Sequence, residues 1–287
     1  MANLKELRNR IQSVGSTMQI TSAMKMVSAA KLKKAQDAIT QMRPYSEKLS
    51  ELLSGLNASL DQSESVYGQQ RTVQRVLIIP ITSNRGLCGA FNTNVIRQTR
   101  RATQVYKENG VEVTLVTIGK KGHDILRKTI TVASDHSDIF NNINFNDVAE
   151  VAEYAMQSFA NGTYDKVQIV YNHFKNAGSQ MTVNETMLPI EPVESAETGG
   201  TSEYIFEPEK EAIVAELIPK SLKTQLFKAV LDSNASEHGA RMTAMHKATD
   251  NAKELSRLLK LDYNKARQAA ITNEILEIVG GAAALEG

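Results

Sequence analysis

The two ends of this chain are free of proline and carry apolar residues at the spacing of a coiled coil. No proline occurs in the first 43 residues or in the last 68. At the amino end apolar or small residues recur in alternating steps of three and four, and at the carboxyl end they do nearly the same, which is typical of a helix that packs along a second helix. The positions are Leu4, Leu7, Ile11, Val14, Met18, Leu32, Ala35, Ile39 and Met42 at the amino end, and Met242, Met245, Ala248, Ala252, Leu255, Leu259, Tyr263, Ala266 and Ala270 at the carboxyl end. Helices of this length exceed the width of a compact domain, so we expect the two ends to pair as a long shaft beside a body.

Charge separates the predicted shaft from the rest of the chain. Residues 1–43 hold eight lysines and arginines against two acidic residues, a net charge of +6, and residues 238–270 hold seven against three, a net charge of +4. The whole chain carries +1, so the remainder carries −9. A basic shaft suggests an acidic partner around it, although a charged run is equally consistent with a solvated surface.

The middle of the chain alternates between β-branched runs and helical stretches, which is typical of an α/β layer structure. The predicted strands are Val73–Thr82, Val111–Ile118, Ile130–Ala133, Asp165–Phe174 and Gln180–Leu188, and the predicted helices are Ala90–Glu108, Lys120–Arg127 and Asn146–Ala160. The last two strands are separated by a turn at Asn176–Gly178, which favours a hairpin. Pro44 and Pro219 fall within helical patterns and are expected to kink or divide them.

No catalytic or cofactor-binding constellation is predicted. The turn Ser83–Asn92 follows a strand and opens a helix, as a phosphate-binding loop does, but its glycines have the wrong spacing and no lysine follows, so a tight turn is the better interpretation. Cys88, the single cysteine, is expected to be packed rather than nucleophilic. The five histidines show no metal-ligand spacing. We therefore predict no metal, no cofactor and no active site.

The last stretch, Ala269–Leu285, is apolar on nearly all helix faces. Its apolar side chains include Ile271, Ile275, Leu276, Ile278, Val279 and Leu285, against two charged residues, Glu274 and Glu277. A terminal helix of this kind needs an apolar enclosure. Either a partner surrounds it or it folds back along the amino-terminal helix.

Three blocks of the sequence together resemble the γ subunit of the rotary F-type ATP synthase, bacterial type. They are Arg10–Leu32, the Ser83–Asn92 turn and Glu237–Leu285, and the resemblance extends over the whole chain. It implies an antiparallel coiled coil of the terminal helices with a central Rossmann-like α/β domain, divided as 1–58, 72–193 and 208–287. The implied function is a central rotor shaft without a catalytic site of its own, which couples proton-driven rotation of the c-ring to ATP synthesis or hydrolysis on β.

The same resemblance implies partners and contact residues. The coil would lie inside a ring of α and β subunits, the foot would meet the c-ring and ε, and the chain would be peripheral on the cytoplasmic side of the bacterial membrane. Residues expected to contact β are Met24, Lys25, Lys31, Lys33, Lys34, Arg241, Arg267, Gln268 and Thr272, the foot is Tyr204, Ile205, Phe206 and Glu207, and the apolar end of Ala269–Leu285 would be a bearing tip. Asn84 stands where the family usually has aspartate, so any ion pair of that aspartate is not expected here.

Two other classes of function remain as alternatives. A basic coiled coil is also found in nucleic-acid-binding proteins, but here aromatic residues are not interleaved with the basic ones and no base-reading motif occurs. An α/β enzyme with a helical oligomerisation arm would need the catalytic set that the sequence lacks.

Overall fold

A computed structural model describes residues 4–57, 66–190 and 210–286, with side chains described for 4–46, 48–49, 66–190 and 216–282. The chain divides into two compact units. One unit, called here the coil unit, consists of Met1–Ser28 and Met242–Gly287, and the other, the sheet unit, is Ala29–Arg241. The sequence-based division into 1–58, 72–193 and 208–287 is a partition by type of element and stays a prediction.

Two long helices supply the terminal segments. Helix α1 is Leu4–Asn57 and helix α5 is Lys210–Glu286. Of the two predicted effects, a kink or a division, neither proline divides its helix: Pro44 lies inside α1 and Pro219 inside α5. Pro44 and Thr40 are both exposed. Water can therefore bond the Thr40 carbonyl that loses its usual N–H donor, which lowers the cost of proline in the helix.

In the coil unit α1 and α5 run antiparallel. Thr249 Oγ1 donates to Thr21 Oγ1 over 2.8 Å, and Arg8 Nη2 donates to Tyr263 Oη over 3.0 Å, so higher numbers on one helix meet lower numbers on the other. The inward positions of α1 here follow steps of three and four without a break: Leu4, Leu7, Ile11, Val14, Met18, Thr21, Lys25 and Ser28. The predicted pairing of the terminal helices is confirmed, and its polar inward positions were not predicted.

The inward positions of α5 differ in part from the predicted ones. They are Met242, Met245, Thr249, Ala252, Ser256, Leu259, Tyr263 and Ala266. Leu255 is 47% exposed and Ala270 is exposed, so the prediction that both face α1 is wrong. Ser256 takes the inward place because the heptad steps from Ala252 to Leu259 run four and then three.

A five-stranded sheet forms the centre of the sheet unit, in the order β3-β2-β1-β4-β5. The strands are β1 Arg75–Pro80, β2 Glu112–Thr117, β3 Thr131–Asp135, β4 Lys166–Asn176 and β5 Ser179–Leu188. The first four are parallel, and β5 pairs antiparallel with β4. The predicted hairpin and the α/β fold class are confirmed.

Helices cover both faces of this sheet. Helices α2 (Phe91–Glu108) and α3 (Lys120–Leu126) pack on one face, and α4 (Phe145–Ala160) packs with the first part of α5 on the other. Along β1, Val76 and Ile78 point to the first layer, while Leu77 and Ile79 point to the second. A short 3-10 helix, Ser137–Asn141, was not predicted. No helix in the described part of the chain is long and apolar enough to cross a membrane.

Candidate interaction surfaces

The carboxyl-terminal end of α5 extends past the amino-terminal end of α1. Extrapolating the antiparallel pairing of Arg8 with Tyr263 places Leu4 opposite the region of Arg267. From there to residue 282 every described side chain is exposed. The apolar members Ile271, Ile275, Leu276, Ile278 and Val279 are 48–67% exposed. The end of α5 therefore does not fold back along the amino-terminal helix, and that alternative is wrong for these residues.

This exposed end carries three of the residues expected to contact β. Arg267, Gln268 and Thr272 are all exposed. Thr272 Oγ1 donates to the Gln268 backbone carbonyl over 2.9 Å, a bond within the helix. The side chain of Leu285 lies outside the described residues.

The basic residues of α1 that are expected to contact β differ in exposure. Lys25 is half-buried at an inward position, where its Nζ is 3.4 Å from His246 Nδ1, and His246 is in turn 3.4 Å from an Asp250 carboxylate oxygen. Met24 beside it is half-buried too. In the sheet unit Lys31, Lys33 and Lys34 are all exposed. A partner therefore has direct access to these three lysines, whereas the Lys25 ammonium already contacts α5.

Arg241 is buried within its own chain, with 8% of its surface exposed. Its Nη1 donates to Glu237 Oε1 over 2.6 Å, and its Nη2 donates to the backbone carbonyls of Arg85 and Gly86 over 3.1 and 3.3 Å. Burial raises the pKa of Glu237, and the Arg241 guanidinium partly opposes that rise. The pair thus joins α5 to the Ser83–Asn92 turn, and a direct contact of Arg241 with β stays a prediction.

The turn that Arg241 binds is held from inside by a small polar cluster. Ser83 Oγ donates to the Arg85 carbonyl over 2.7 Å, and Asn92 Nδ2 donates to Ser83 Oγ and to Cys88 Sγ. Cys88 is 2% exposed and burial raises the pKa of its thiol, as expected for a packed residue. Leu87 has φ of +63°, which is strained for a leucine, and it is 64% exposed. The backbone of this turn therefore presents Leu87 to solvent.

Asn84 uses both ends of its side-chain amide. Its Nδ2 donates to the Ser137 carbonyl over 2.8 Å, and its Oδ1 accepts from the Lys120 backbone N–H over 3.0 Å. A carboxylate can make the second bond but has no hydrogen for the first. The Asn84 side chain therefore links the turn after β1 to the start of α3 and to the 3-10 helix.

Sequence reasoning missed a second set of exposed apolar side chains. Ile20, Met26 and Val27 on α1 are 57–65% exposed, and Leu255, Leu258 and Leu261 on α5 are 44–47% exposed. Their exposure could have been predicted from their position, because these apolar residues fall outside the inward heptad positions. The exposed apolar surface of the coil unit is therefore not confined to the carboxyl-terminal end of α5.

The predicted foot, Tyr204–Glu207, lies outside the described residues. Among the residues that the structure describes, no group of three or more histidine, cysteine, aspartate or glutamate side chains is placed to hold a metal ion. The exposed surface of the coil unit is apolar at its carboxyl-terminal end, where Ile271, Ile275 and Leu276 are 48–63% exposed.

Comparisons with known proteins agree with this architecture. A family model described as ATP synthase matches residues 3–285. The chain is 61% identical over 288 residues to the ATP synthase gamma chain of Flavobacterium psychrophilum and 62% identical to that of Flavobacterium johnsoniae, with full coverage of both chains in each case. Among solved structures, it is similar to a chain of the Euglena gracilis mitochondrial ATP synthase rotor at 26% identity, with a TM-score of 0.67 and coverage of 93% of this chain and 98% of that one. The family model, the full-length identity to these bacterial chains and the shared fold show that this chain belongs to the ATP synthase gamma chain family.

Proposed function

We propose that this chain is the central rotor shaft of an F-type ATP synthase, which couples proton-driven rotation of the c-ring to ATP synthesis or hydrolysis at catalytic sites on β. Membership of the gamma chain family supports this function, and so does the similarity to chains of solved rotor and central-stalk structures. The observation that carries the mechanism is the end of α5, which extends past α1 with its apolar side chains exposed. The alternative of a nucleic-acid-binding coiled coil finds no support in these similarities.

The apolar end would turn inside the ring of α and β subunits as a bearing. Complete burial of an isoleucine, leucine or valine side chain contributes about 1.5–3 kcal/mol. Ile271, Ile275, Leu276, Ile278 and Val279 have about half to two-thirds of that surface still exposed. Their enclosure would therefore contribute roughly 5 kcal/mol in total. Apolar contact has no fixed direction, so this stabilisation persists as the helix turns.

Charged side chains on the coil would provide the contacts that change with angle. Lys25, Lys31, Lys33, Lys34 and Met24 would face the acidic lever segment of β, and Arg267, Gln268 and Thr272 would meet β loops. Each exposed ion pair contributes about 0.2–1 kcal/mol, too little to fix the rotor at one angle. Successive weak contacts would bias one β subunit at a time.

Arg241 would serve the same coupling from within. Because its guanidinium binds the carbonyls of Arg85 and Gly86, it would hold the Ser83–Asn92 turn against α5 while β pushes on the coil. A partner carboxylate would reach Arg241 only by displacing Glu237 or those carbonyls. In the assembled complex we expect the Glu237 pair to persist through part of the cycle.

The remaining partners and the location follow from the proposed role. Tyr204–Glu207 would form the foot on the c-ring and adjoin ε, and the chain would lie on the cytoplasmic side of the bacterial membrane, attached through the membrane sector. The similarity to a chain of the Tetrahymena thermophila central stalk and c-ring structure supports the c-ring contact, at 26% identity and a TM-score of 0.59. The bacterial relatives support the location.

Assembly with purified α and β subunits tests the bearing. The triple variant Ile275→Ser, Leu276→Ser, Ile278→Ser should leave the unfolding midpoint of the isolated chain unchanged, because these side chains are exposed there. It should lower the yield of a complex with one copy of this chain and three each of α and β. The matched control is Val105→Ser, which changes a 52% exposed valine of the sheet unit and should assemble normally.

Coupling tests the charged contacts. Arg267→Ala and Gln268→Ala should reduce ATP synthesis by the assembled complex while the fold of the isolated chain is retained, and Lys260→Ala on the same helix should have little effect. ATP synthesis at the wild-type rate by both variants would contradict the assignment of these residues to β contacts.

A further inference from the structure

A cavity of about 250 Å³ lies in the sheet unit where α1, α5 and β4 meet. Arg43 and Ser46 of α1, Lys228 and Asp232 of α5 and His173 of β4 line its polar side. Ile39, Met42 and Leu231 line its apolar side. It is separate from the apolar end of α5 and from the Arg241 pair, and the proposed rotor function does not use it.

On the polar side of this cavity, His173 and Asp232 form a close pair. His173 Nδ1 and Asp232 Oδ2 are 2.6 Å apart, and the Asp232 side chain is 4% exposed. Burial raises the pKa of Asp232, while His173, Lys228 and Arg43 oppose that rise. The histidine and the carboxylate therefore satisfy each other across the contact between β4 and α5.

The rim of the cavity has an excess of positive charge. Arg43 and Lys228 are exposed, and neither forms an ion pair with another side chain in the described part of the chain. With Asp232 charged, the lining is net positive by one charge if His173 is neutral and by two if it is protonated. Arginine offers a planar pair of donors, lysine a mobile ammonium and Ser46 a hydroxyl, which together suit a tetrahedral oxyanion.

We propose that this cavity binds a small phosphate-type oxyanion, either inorganic phosphate or the phosphate of a small monoester, between Arg43, Lys228 and Ser46. The volume lies below the range of about 300–1,000 Å³ that is usual for larger organic ligands, so a whole nucleotide does not fit the site. Occupancy would join α1 to α5 through the anion. The same two helices already meet at the apolar wall of the cavity, so the anion would add a polar bridge beside it.

Calorimetric titration of the full-length chain with inorganic phosphate, at constant ionic strength, tests this site. Wild type should show saturable binding at millimolar phosphate, and Arg43→Ala and Lys228→Ala should each weaken the affinity about tenfold through loss of a charge-assisted hydrogen bond. Asp232→Asn should strengthen binding, because it removes the one negative charge from the lining. Lys220→Ala, which removes an exposed lysine of α5 outside the cavity lining, is the matched control and should leave the affinity unchanged.

A parallel titration with glycerol 3-phosphate separates the two sources of the anion. Binding of inorganic phosphate alone indicates the free ion, and tighter binding of the ester indicates that Met42 and Leu231 contact an organic part. If neither compound shows saturable binding, the proposal is overturned. So would binding that persists in Arg43→Ala and Lys228→Ala, because the anion would then lie elsewhere.

Discussion

Removal of Arg241 should destabilise the isolated chain, and the loss should depend on pH. Arg241→Ala deletes the guanidinium that pairs with Glu237 at 2.6 Å, and both side chains of the pair are 9% exposed. The Glu237 carboxylate is then left buried without its nearest cation. A single charge in that position is costly, and the group avoids the cost by taking up a proton.

The magnitude follows from the free energy of that protonation. The ordinary pKa of glutamate is 4.5, and each unit between the pKa and the pH costs about 1.4 kcal/mol. For protonation of Glu237 the upper bound is therefore about 3.5 kcal/mol at pH 7 and about 0.7 kcal/mol at pH 5. Lys31 and Arg85 also favour the charged form of Glu237, so the part of the loss that comes from this buried charge should fall below these bounds.

The sign of the pH dependence follows from linkage. Arg241→Ala raises the pKa of Glu237 further above its unfolded value, so the folded variant binds more protons than the unfolded chain near neutral pH. Stability from such a group is present at low pH and is lost as the pH rises. The difference between variant and wild type should therefore shrink from pH 7 to pH 5. Burial, Arg241 and Lys31 together lower the pKa of His238 to about 4, so removal of Arg241 should raise that pKa and shrink the difference at pH 5 in the same direction.

Urea unfolding of the isolated chain at pH 7 and pH 5 measures these differences. The double variant Glu237→Gln, Arg241→Ala removes both charges, so its loss should not show the increase from pH 5 to pH 7 that Arg241→Ala shows. Lys247→Ala, an exposed lysine on the same helix, is the control and should change stability by less than about 0.5 kcal/mol. An Arg241→Ala variant as stable as wild type at pH 7 would refute the view that this residue holds the turn from within.

Two further pairs of variants test the packing. Leu259→Ala should cost about 2–4 kcal/mol of unfolding free energy because Leu259 is 8% exposed, whereas Leu255→Ala should cost under about 1 kcal/mol because Leu255 is 47% exposed; equal losses in denaturant titrations would contradict the observed inward positions. Gly239→Ala should destabilise by about 1–3 kcal/mol because its new methyl would lie 3.1 Å from the Ala177 carbonyl oxygen, whereas Gly15→Ala, with open space around it, should stabilise by up to about 1 kcal/mol. Stabilisation by both alanines would mean that the hairpin does not approach α5 closely.

The strands, and the inward heptad positions that carry apolar side chains, could be predicted from the sequence. It was insufficient where a polar residue takes an inward place. Thr21, Lys25 and Ser28 continue the heptad steps of α1, but their side chains gave no apolar signal, and Thr21 is accommodated by its hydrogen bond to Thr249. Leu255 was predicted inward because it is a leucine, although heptad spacing places Ser256 there.

Among the candidate contact residues, too, some properties could be predicted from the sequence and others could not. Exposure of Arg267, Gln268 and the lysines of α1 follows from charge and helix position. Burial of Arg241 does not, because it depends on Glu237 one turn earlier and on carbonyls more than 150 residues away in the chain. An ion pair between distant elements is set by the tertiary fold, and a single sequence carries no direct record of it.

Observation of rotation tests the central claim most directly. A complex with α and β subunits is immobilised through β, and a bead is attached to a cysteine introduced by Lys128→Cys on the exposed body, since Cys88 is 2% exposed and resists labelling. The account predicts unidirectional, stepwise rotation of the bead when ATP is added. A bead that stays still while the same complexes hydrolyse ATP would contradict the assignment of this chain as the rotor shaft.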